Sequence, residues 1–580
     1  MSHHPRPHVP AQPAAERAAV RRPVNRLGAI GLLVAVAGFL ALAAYFWPYV
    51  NDDAYITFRY SRFITLGRGP YFNDGEHVEG YTNFLLMLLL VPVIALGGAD
   101  AAPVCAKGLG VVSGAIGVVL SFWLARRLDD DATPDSGLRA TVCGLVAATL
   151  VALAPGYALN STSGLETTLF GALLTAGVCT GLTSLEGGRW RGSGVLFALA
   201  ALTRPEGALL FAVFWCGQLL CSATWRGPGH GTLGRRLATW WALPAVRRHL
   251  LPDALIVVVA VAAHLVFRLL AYDGHWVPNT YWAKSGGFGA LEAWRYIRAA
   301  ALRPFGDSPG VFLAFVGWLI VGTSAVRRRS APAILVAVVG ATLPFVTGTD
   351  WMLGGRLIVP FMPLLAVFVA LGWVRMLAWA TRRWTRWGLL AALAVPLLWG
   401  LHLSGLQAGL RNHVVMRSVG YAHGHAALAR WLRDTAARPG DTIALMDIGI
   451  VGYTCIDQSI LDLTGLTDRH IAALPGAFLS KLYDPRYVLD KRPAFIVLVL
   501  TAPGDPTQPP PADFALSDWT AADGALRADP EFRAHYVRQR GPAADSAPLD
   551  RIAAQLGAQR VFLHLHPALY YFLAVFERQP

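Results

Sequence analysis

This sequence predicts a mostly α, polytopic transmembrane protein with a C-terminal α/β extracytoplasmic domain, and three observations carry that reading. Of its 580 residues, 54% are hydrophobic and only 15% charged, whereas soluble domains carry about a quarter charged residues. The apolar residues gather in runs approaching the ~20 residues a helix needs to cross a bilayer. The basic excess behind the net charge of +14 falls in short bursts between those runs: Arg126-Arg127, Arg235-Arg236, Arg247-Arg248, Arg327-Arg328-Arg329 and Arg382-Arg383. That is the pattern of cytoplasmic loops under the positive-inside rule. No basic groove interleaved with aromatics is present, which excludes nucleic acid as a partner. Six cysteines show neither a pairing framework nor a metal-binding spacing.

Taken in order, residues 1–26 are rich in His, Pro, Ala and Arg and read as a disordered cytoplasmic tail. Leu27–Trp47 is long enough to span and is followed by no cleavage pattern, so it reads as an uncleaved first helix that starts in the cytoplasm. Further spans are expected at Cys105–Leu124, Thr141–Leu153, Thr168–Leu185, Gly194–Leu202, Ala208–Ser222 and Leu255–Ala271. Val311–Val326, Ile334–Val346, Leu357–Leu377 and Leu389–Leu403 complete the set. The run Phe84–Leu96 is short and interrupted by Pro92, and it is read as lying on or dipping into the outer interface. With that choice every basic burst is cytoplasmic, residues 27–404 hold about eleven spans, and 48–104 form the first outer loop. From residue 405 charge and proline rise. Thr442–Met446, Ser459–Leu463, Ala494–Leu500, Arg560–Leu565 and Tyr570–Phe576 read as strands of a mixed α/β domain over 405–580. Pro503–Pro511 reads as a loop.

This topology puts every conspicuous polar motif on one face of the membrane, which scattered loops have reason to do only if they build one site. In Asn51–Tyr60, Asp53 could serve as N-cap of an amphipathic helix that lays Ile56, Phe58 and Phe63 on the membrane. A cap needs one carboxylate, and Asp52 and Asp53 are two; a neighbouring pair suits a general base for an acceptor hydroxyl. Glu76, His77 and Glu79 fit either a solvated turn or metal ligands. Glu166 opens a span and favours the positive end of that helix. Arg204 and Glu206 form either a tight-turn ion pair or, through the arginine fork, a phosphate-holding group. Asn279, Tyr281, Trp282 and Lys284 combine an amide, interfacial aromatics and a cation. Asp350, Trp351 and Arg356 repeat that chemistry, with an Asp350–Arg356 salt bridge as the plainer reading.

The string Asp52-Asp-Ala-Tyr-Ile-Thr-Phe-Arg-Tyr-Ser-Arg62, followed by Val78-Glu-Gly-Tyr-Thr-Asn83, resembles the opening of GT-C fold glycosyltransferases that use polyprenyl-phosphate sugars. It is most similar to the terminal arabinofuranosyltransferases of mycobacterial arabinan and their proteobacterial relatives. Gly164–Thr167, Leu202–Gly207, Pro278–Tyr281, Asp350-Trp351, Arg356, Asp447–Tyr453 and Asp462–Asp468 fit the same pattern. The resemblance implies an inverting transfer in the bacterial inner membrane, with Asp52, or Asp53 beside it, as the base. Arg204, Lys284 and Arg356 would stabilise the leaving polyprenyl phosphate. Tyr55, Arg59, Glu79, Tyr81, Asn83, Glu166, Glu206, Asn279, Tyr281, Asp350 and Trp351 would line the substrate site, with Phe84–Leu96 beside the lipid tail. The implied partners are a polyprenyl-phosphate-linked sugar, a glycan or protein acceptor, and membrane lipid. The fold accommodates a divalent cation (Mg or Mn), but the sequence requires none. Family members read Asn-Pro after Tyr-Thr where this chain has Asn83-Phe84, and the tail after Arg492 matches nothing in the pattern. A hexose or mannose transferase stays open within the class. A flippase would want charges buried mid-span and repeat symmetry, and a glycan sensor would tolerate loss of both Asp52 and Asp53.

Overall fold

The computed structural model describes residues 25–129, 136–187, 190–221, 246–284, 289–305, 307–321, 324–380, 386–406, 408–505, 508, 515–538, 547–566 and 568–579. The N-terminal tail, Arg235-Arg236, Arg382-Arg383 and most of Pro503–Pro511 lie outside them.

Among the described residues six helices are long and apolar enough to cross a membrane, or up to eight if each bent pair counts as one span. With the shorter apolar helices at Ser193–Thr203 and Glu206–Leu219, this is roughly consistent with the expected number of spans; the helix Phe84–Gly97, expected at the outer interface, is shorter than a span. Helix α1 (Arg26–Phe46) begins where the Asn25 side chain accepts the Gly28 N–H at 2.8 Å, a side-chain cap. After α2 (Asp52–Thr65) and α3 (Phe84–Gly97) comes the longest helix, α4 (Ala101–Asp129). Gly110, Gly114 and Gly117 on α4 are buried against Ser161, Phe39 and Tyr157, the small-residue contact that lets helices approach closely in a membrane. Helices α5 (Ser136–Ala152) and α6 (Pro155–Ser161) meet at a 63° bend, where Pro155 cannot continue the helix. The bundle continues through α7 (Thr167–Gly187), α8 (Ser193–Thr203), α9 (Glu206–Cys221) and α10 (Leu251–Ala271). Its apolar core joins Phe39, Phe122, Tyr157, Phe170, Phe197 and Val367.

Helix α2 departs from expectation. Ile56, Phe58 and Phe63 are 5%, 1% and 1% exposed and so do not lie on the membrane. The reason is that α3 packs on one side of α2 and the C-terminal domain on the other. The cap is also different: Asn51, not Asp53, caps α2 by accepting the Asp53 N–H at 3.0 Å. Both carboxylates are thereby released from capping their own helix.

All five expected strands form, as β1 (Thr442–Leu445), β2 (Ser459–Asp462), β3 (Phe495–Pro503), β5 (Arg560–His566) and β6 (Leu569–Glu577). The sixth, β4 (Ser517–Asp518), has two residues, too few to show any alternation. The sheet runs β2-β1-β3-β6-β5, with β4 on β3. Its β2-β1-β3 half is parallel and its β3-β6-β5 half antiparallel. Successive side chains point to opposite faces. Phe495, Val497 and Val499 share a core with Ile56, Tyr60 and Tyr81 of the first loop, while Ile496, Leu498 and Leu500 pack under the domain's own helices. Both faces of β3 are covered, so it reads as an unbroken apolar run.

Candidate active site

The start of α2 meets the C-terminal domain at one point. Asp447 follows β1, and helix α15 (Ile448–Thr454) follows Asp447. (Of the helices after α10, α11 is Asn279–Lys284, α12 Met362–Ala380, α13 Ala408–Gly420 and α14 Ala426–Trp431.) The Gly449 and Ile450 amides donate to Asp52 Oδ2 and Oδ1 at 2.8 and 2.7 Å. A side chain at Gly449 would lie 1.9 Å from the Asp52 carbonyl oxygen, so glycine is what lets the two chains close. Asp52 is thus a buried anchor for the sheet domain, with both carboxylate oxygens engaged. Burial pushes its pKa up, against His425 and the Ile450 amide.

Asp53, one residue on, is only half-buried. Its pKa is raised by burial and by the neighbouring Asp350 and Asp447, and pulled back by Lys284 and Arg356. These groups arrive from separate segments. Lys284 ends α11 and is exposed, stacked 4.9 Å over Phe478. Among the described residues no carboxylate lies within ion-pair distance of it. Burial of its surroundings lowers its pKa, against the pull of Asp350 and Asp53. Asp350 accepts the Met352 N–H at 3.1 Å and faces Arg356 Nη1 at 3.6 Å. Arg356 Nη1 and Asn51 Nδ2 both donate to the Met352 sulfur, at 3.3 and 3.1 Å. That contact ties the Asp350 turn to the first turn of α2.

Behind this cluster lies a carboxylate between two arginines. Glu166 is fully buried and accepts from Arg204 Nη1 at 2.9 Å, Arg356 Nη2 at 3.2 Å and Asn83 Nδ2 at 2.8 Å. Burial opposes its ionisation, but Arg356 and Arg204 outweigh it and hold its pKa at about 2. Arg204 also grips Glu206 at 2.5 Å. The plainer ion-pair readings of Arg204–Glu206 and Asp350–Arg356 are therefore both real, and they are nested in one network. Trp351 is 38% exposed, with the Arg417 guanidinium 5.6 Å from its ring.

Other expected site residues lie elsewhere. Arg59 is 0% exposed. It donates to the carbonyls of Phe72, Cys455 and Gln458 at 2.6, 2.9 and 2.8 Å, and to that of Gly452. Its fork fastens α2 to the sheet domain. Tyr81 is buried, its hydroxyl 2.9 Å from that of Tyr272. Glu79 pairs with Arg268 at 2.5 and 3.1 Å. Asn279 donates to the Gly465 and Leu466 carbonyls. Tyr55 packs edge-on against Phe58 and Tyr453, and Tyr281 is exposed against Trp282. As for the metal alternative, Glu76 accepts from Asn73 and His77 meets Asp273, while Glu79 stays with Arg268. Among the described residues no group of three or more His, Cys, Asp or Glu side chains could hold a metal ion.

Sequence reasoning left several groups without a role. Arg417, Tyr421 and His425 recur at helical spacing from α13 onward, and His564 and His566 alternate on β5 beside Tyr571. The Tyr421 ring meets those of His425 and His564, and His425, His564 and Tyr571 meet one another, all tilted or edge-on with centroids 4.9–6.3 Å apart. The i, i+4 and i, i+2 spacings were legible; that the two elements face each other was not.

Residues 413–545 match the model of a family described as a domain of unknown function (DUF8728), a stretch that holds Arg417, His425 and Asp447. No curated protein matches the sequence. Among solved structures, the chain is similar to the apo oligosaccharyltransferase of Archaeoglobus fulgidus. The TM-score is 0.52 at 11% identity, over 96% of this chain and 89% of the other. The oligosaccharyltransferase AglB of the same organism, in complex with an inhibitory peptide and a dolichol-phosphate, gives 0.51 at 11% identity, over 95% and 88%. ArnT from Cupriavidus metallidurans bound to undecaprenyl phosphate gives 0.48 at 16% identity, over 78% and 90%. The chain has the GT-C fold: a multi-pass helical membrane domain followed by a C-terminal sheet domain.

Proposed function

We propose that this protein is an inverting glycosyltransferase. It takes a sugar from a polyprenyl-phosphate carrier and passes it to an acceptor hydroxyl on the outer face of the bacterial inner membrane. The observation that carries this reading is the Asp350–Arg356–Glu166–Arg204 ion network, drawn from well-separated segments and tied through Met352 to Asn51 beside Asp53, with Lys284, Arg356 and Asp350 acting electrostatically on Asp53. Asp53 is the base in preference to Asp52, whose two oxygens are held by amides. The acceptor oxygen attacks the anomeric carbon as its proton passes to Asp53. The bond from that carbon to the phosphate oxygen breaks, and its electron pair leaves with the polyprenyl phosphate. A single displacement inverts the centre. Lys284, with no carboxylate partner among the described residues, meets the leaving phosphate, and Arg356 adds its field.

A lipid phosphate is the ligand class recorded for AglB, where it is a dolichol-phosphate. The apolar flank of α3, with Leu88 and Leu89 about two-fifths exposed, offers a path for the prenyl tail. Arabinofuranose is the sugar favoured by the resemblance of Asp52–Arg62 and Val78–Asn83. The basic bursts between the spans support the orientation. The test is release of polyprenyl phosphate by the purified full chain from synthetic polyprenyl-phosphoryl arabinofuranose and from its mannose counterpart. Faster release from the first supports both the reaction and the sugar; faster release from the second keeps the reaction and overturns the sugar. Release from neither overturns the transferase.

A further inference from the structure

The parallel half of the sheet ends at Asp447, just beyond the carboxyl end of β1, where open α/β sheets present ligand-binding groups. Its Oδ2 accepts from His425 Nε2 at 2.8 Å and from the Tyr571 hydroxyl at 2.6 Å. Both bonds fall on one oxygen. Oδ1 makes none among the described residues, and the side chain is 25% exposed while His425 is 2% exposed. Asp447 acts electrostatically on both Asp52 and Asp53. A carboxylate needed only to tie elements together would engage both oxygens, as Asp52 and Asp462 do. Asp447 instead has its orientation locked from behind and one oxygen left open, on the turn whose next amides hold Asp52, the neighbour of the base.

We propose that Asp447 is the acceptor-side carboxylate of the site. Its Oδ1 accepts a hydrogen bond from a hydroxyl adjacent to the one that Asp53 deprotonates, and His425 and Tyr571 are the positioning residues that fix its rotamer. This rests on the transferase reading and deepens it. Two carboxylates serving one acceptor select a molecule with neighbouring hydroxyls, a polyol such as a furanoside, over a compound with one isolated hydroxyl. Trp351, exposed beside Arg417, supplies an apolar face for the ring of such an acceptor.

The experiment measures polyprenyl phosphate release by the full chain with two acceptor probes, methyl arabinofuranoside and ethanol. It is run on the wild type, Asp447→Asn and Tyr571→Phe. The wild type favours the glycoside at least tenfold in kcat/KM. Asp447→Asn loses at least tenfold more kcat/KM with the glycoside than with ethanol. Tyr571→Phe raises KM for the glycoside severalfold with a smaller change in kcat. Equal losses with both probes would mark Asp447 as structural and overturn the proposal, as would a full glycoside preference in Asp447→Asn. A wild type that releases nothing with either probe sinks the transferase reading and this proposal with it, whereas an active wild type isolates Asp447.

Discussion

The same motif stands at two levels along α4. Beside Gly110, in its first half, Glu166 lies between Arg204 and Arg356; at its last residue Asp129 lies between Arg139 and Arg375, at 2.8 and 2.6 Å. Thr168 bonds the Gly110 carbonyl, so at 1.5 Å per residue the two triads stand roughly 28 Å apart, about one hydrocarbon thickness. They differ in what surrounds them. Arg375 and Asp129 are 5% and 0% exposed, and the triad clamps α4 to α5 and α12. Arg204 and Arg356 are each 11% exposed and extend into Glu206 and Asp350, and through Asp350 toward Asp53 and Lys284. The ion pairing is shared; what sets the Glu166 triad apart is the half-buried Asp53 near it and Lys284, which has no carboxylate within ion-pair distance among the described residues.

Removing one arginine from each triad tests that contrast most severely. Arg375→Ala takes one of the two arginines from buried Asp129 and costs about 3–5 kcal/mol of stability, read by thermal unfolding, while the folded fraction turns over as the wild type does. Arg356→Ala carries a similar stability loss and additionally lowers turnover per folded molecule by roughly a hundredfold, the order of one charge-stabilising donor. Equal turnover in both variants would erase the distinction.

The pH profile sharpens it next. Asp53 must be ionised, and its pKa lies above the usual 3.8, so kcat/KM climbs with pH through a limb centred above that value. Lys284 must be charged, and its pKa lies below 10.5, so the falling limb comes before that value. Lys284→Arg moves the falling limb upward. Stability behaves differently: the pKa of Glu166 is depressed from 4.5 to about 2. Its contribution is therefore complete above pH 4.5 and disappears as pH falls through 2, and Glu166→Gln flattens acid unfolding over that window. The smallest effects are expected outside the network: Tyr281→Ala changes transfer by less than about twofold, and so does chelation with EDTA.

The membrane helices and all five longer strands were readable because each depends on a local pattern: runs of apolar residues, or short apolar stretches between turn residues. The partners of Glu166 were not readable, since Asn83, Arg204 and Arg356 reach it from separate segments of the chain. Asp52 and Asp53 look alike as neighbours in sequence. Only the approach of Gly449, some four hundred residues on, assigns one to the sheet domain and leaves the other beside Lys284. The partners of Arg59 were unreadable for the same reason, since they are carbonyls of the distant α15 region.

The central claim is that Asp53, and not Asp52, takes the acceptor proton. It is tested most directly by single-turnover transfer and polyprenyl phosphate binding in Asp53→Asn beside Asp52→Asn. The account predicts that Asp53→Asn binds polyprenyl phosphate within a few-fold of the wild type and transfers about 10²–10⁴ times more slowly. Asp52→Asn should lose stability in proportion to its two amide bonds and transfer at a larger fraction of the wild-type rate per folded molecule. Transfer by Asp53→Asn at the wild-type rate, with Asp52→Asn inactive but folded, would contradict it.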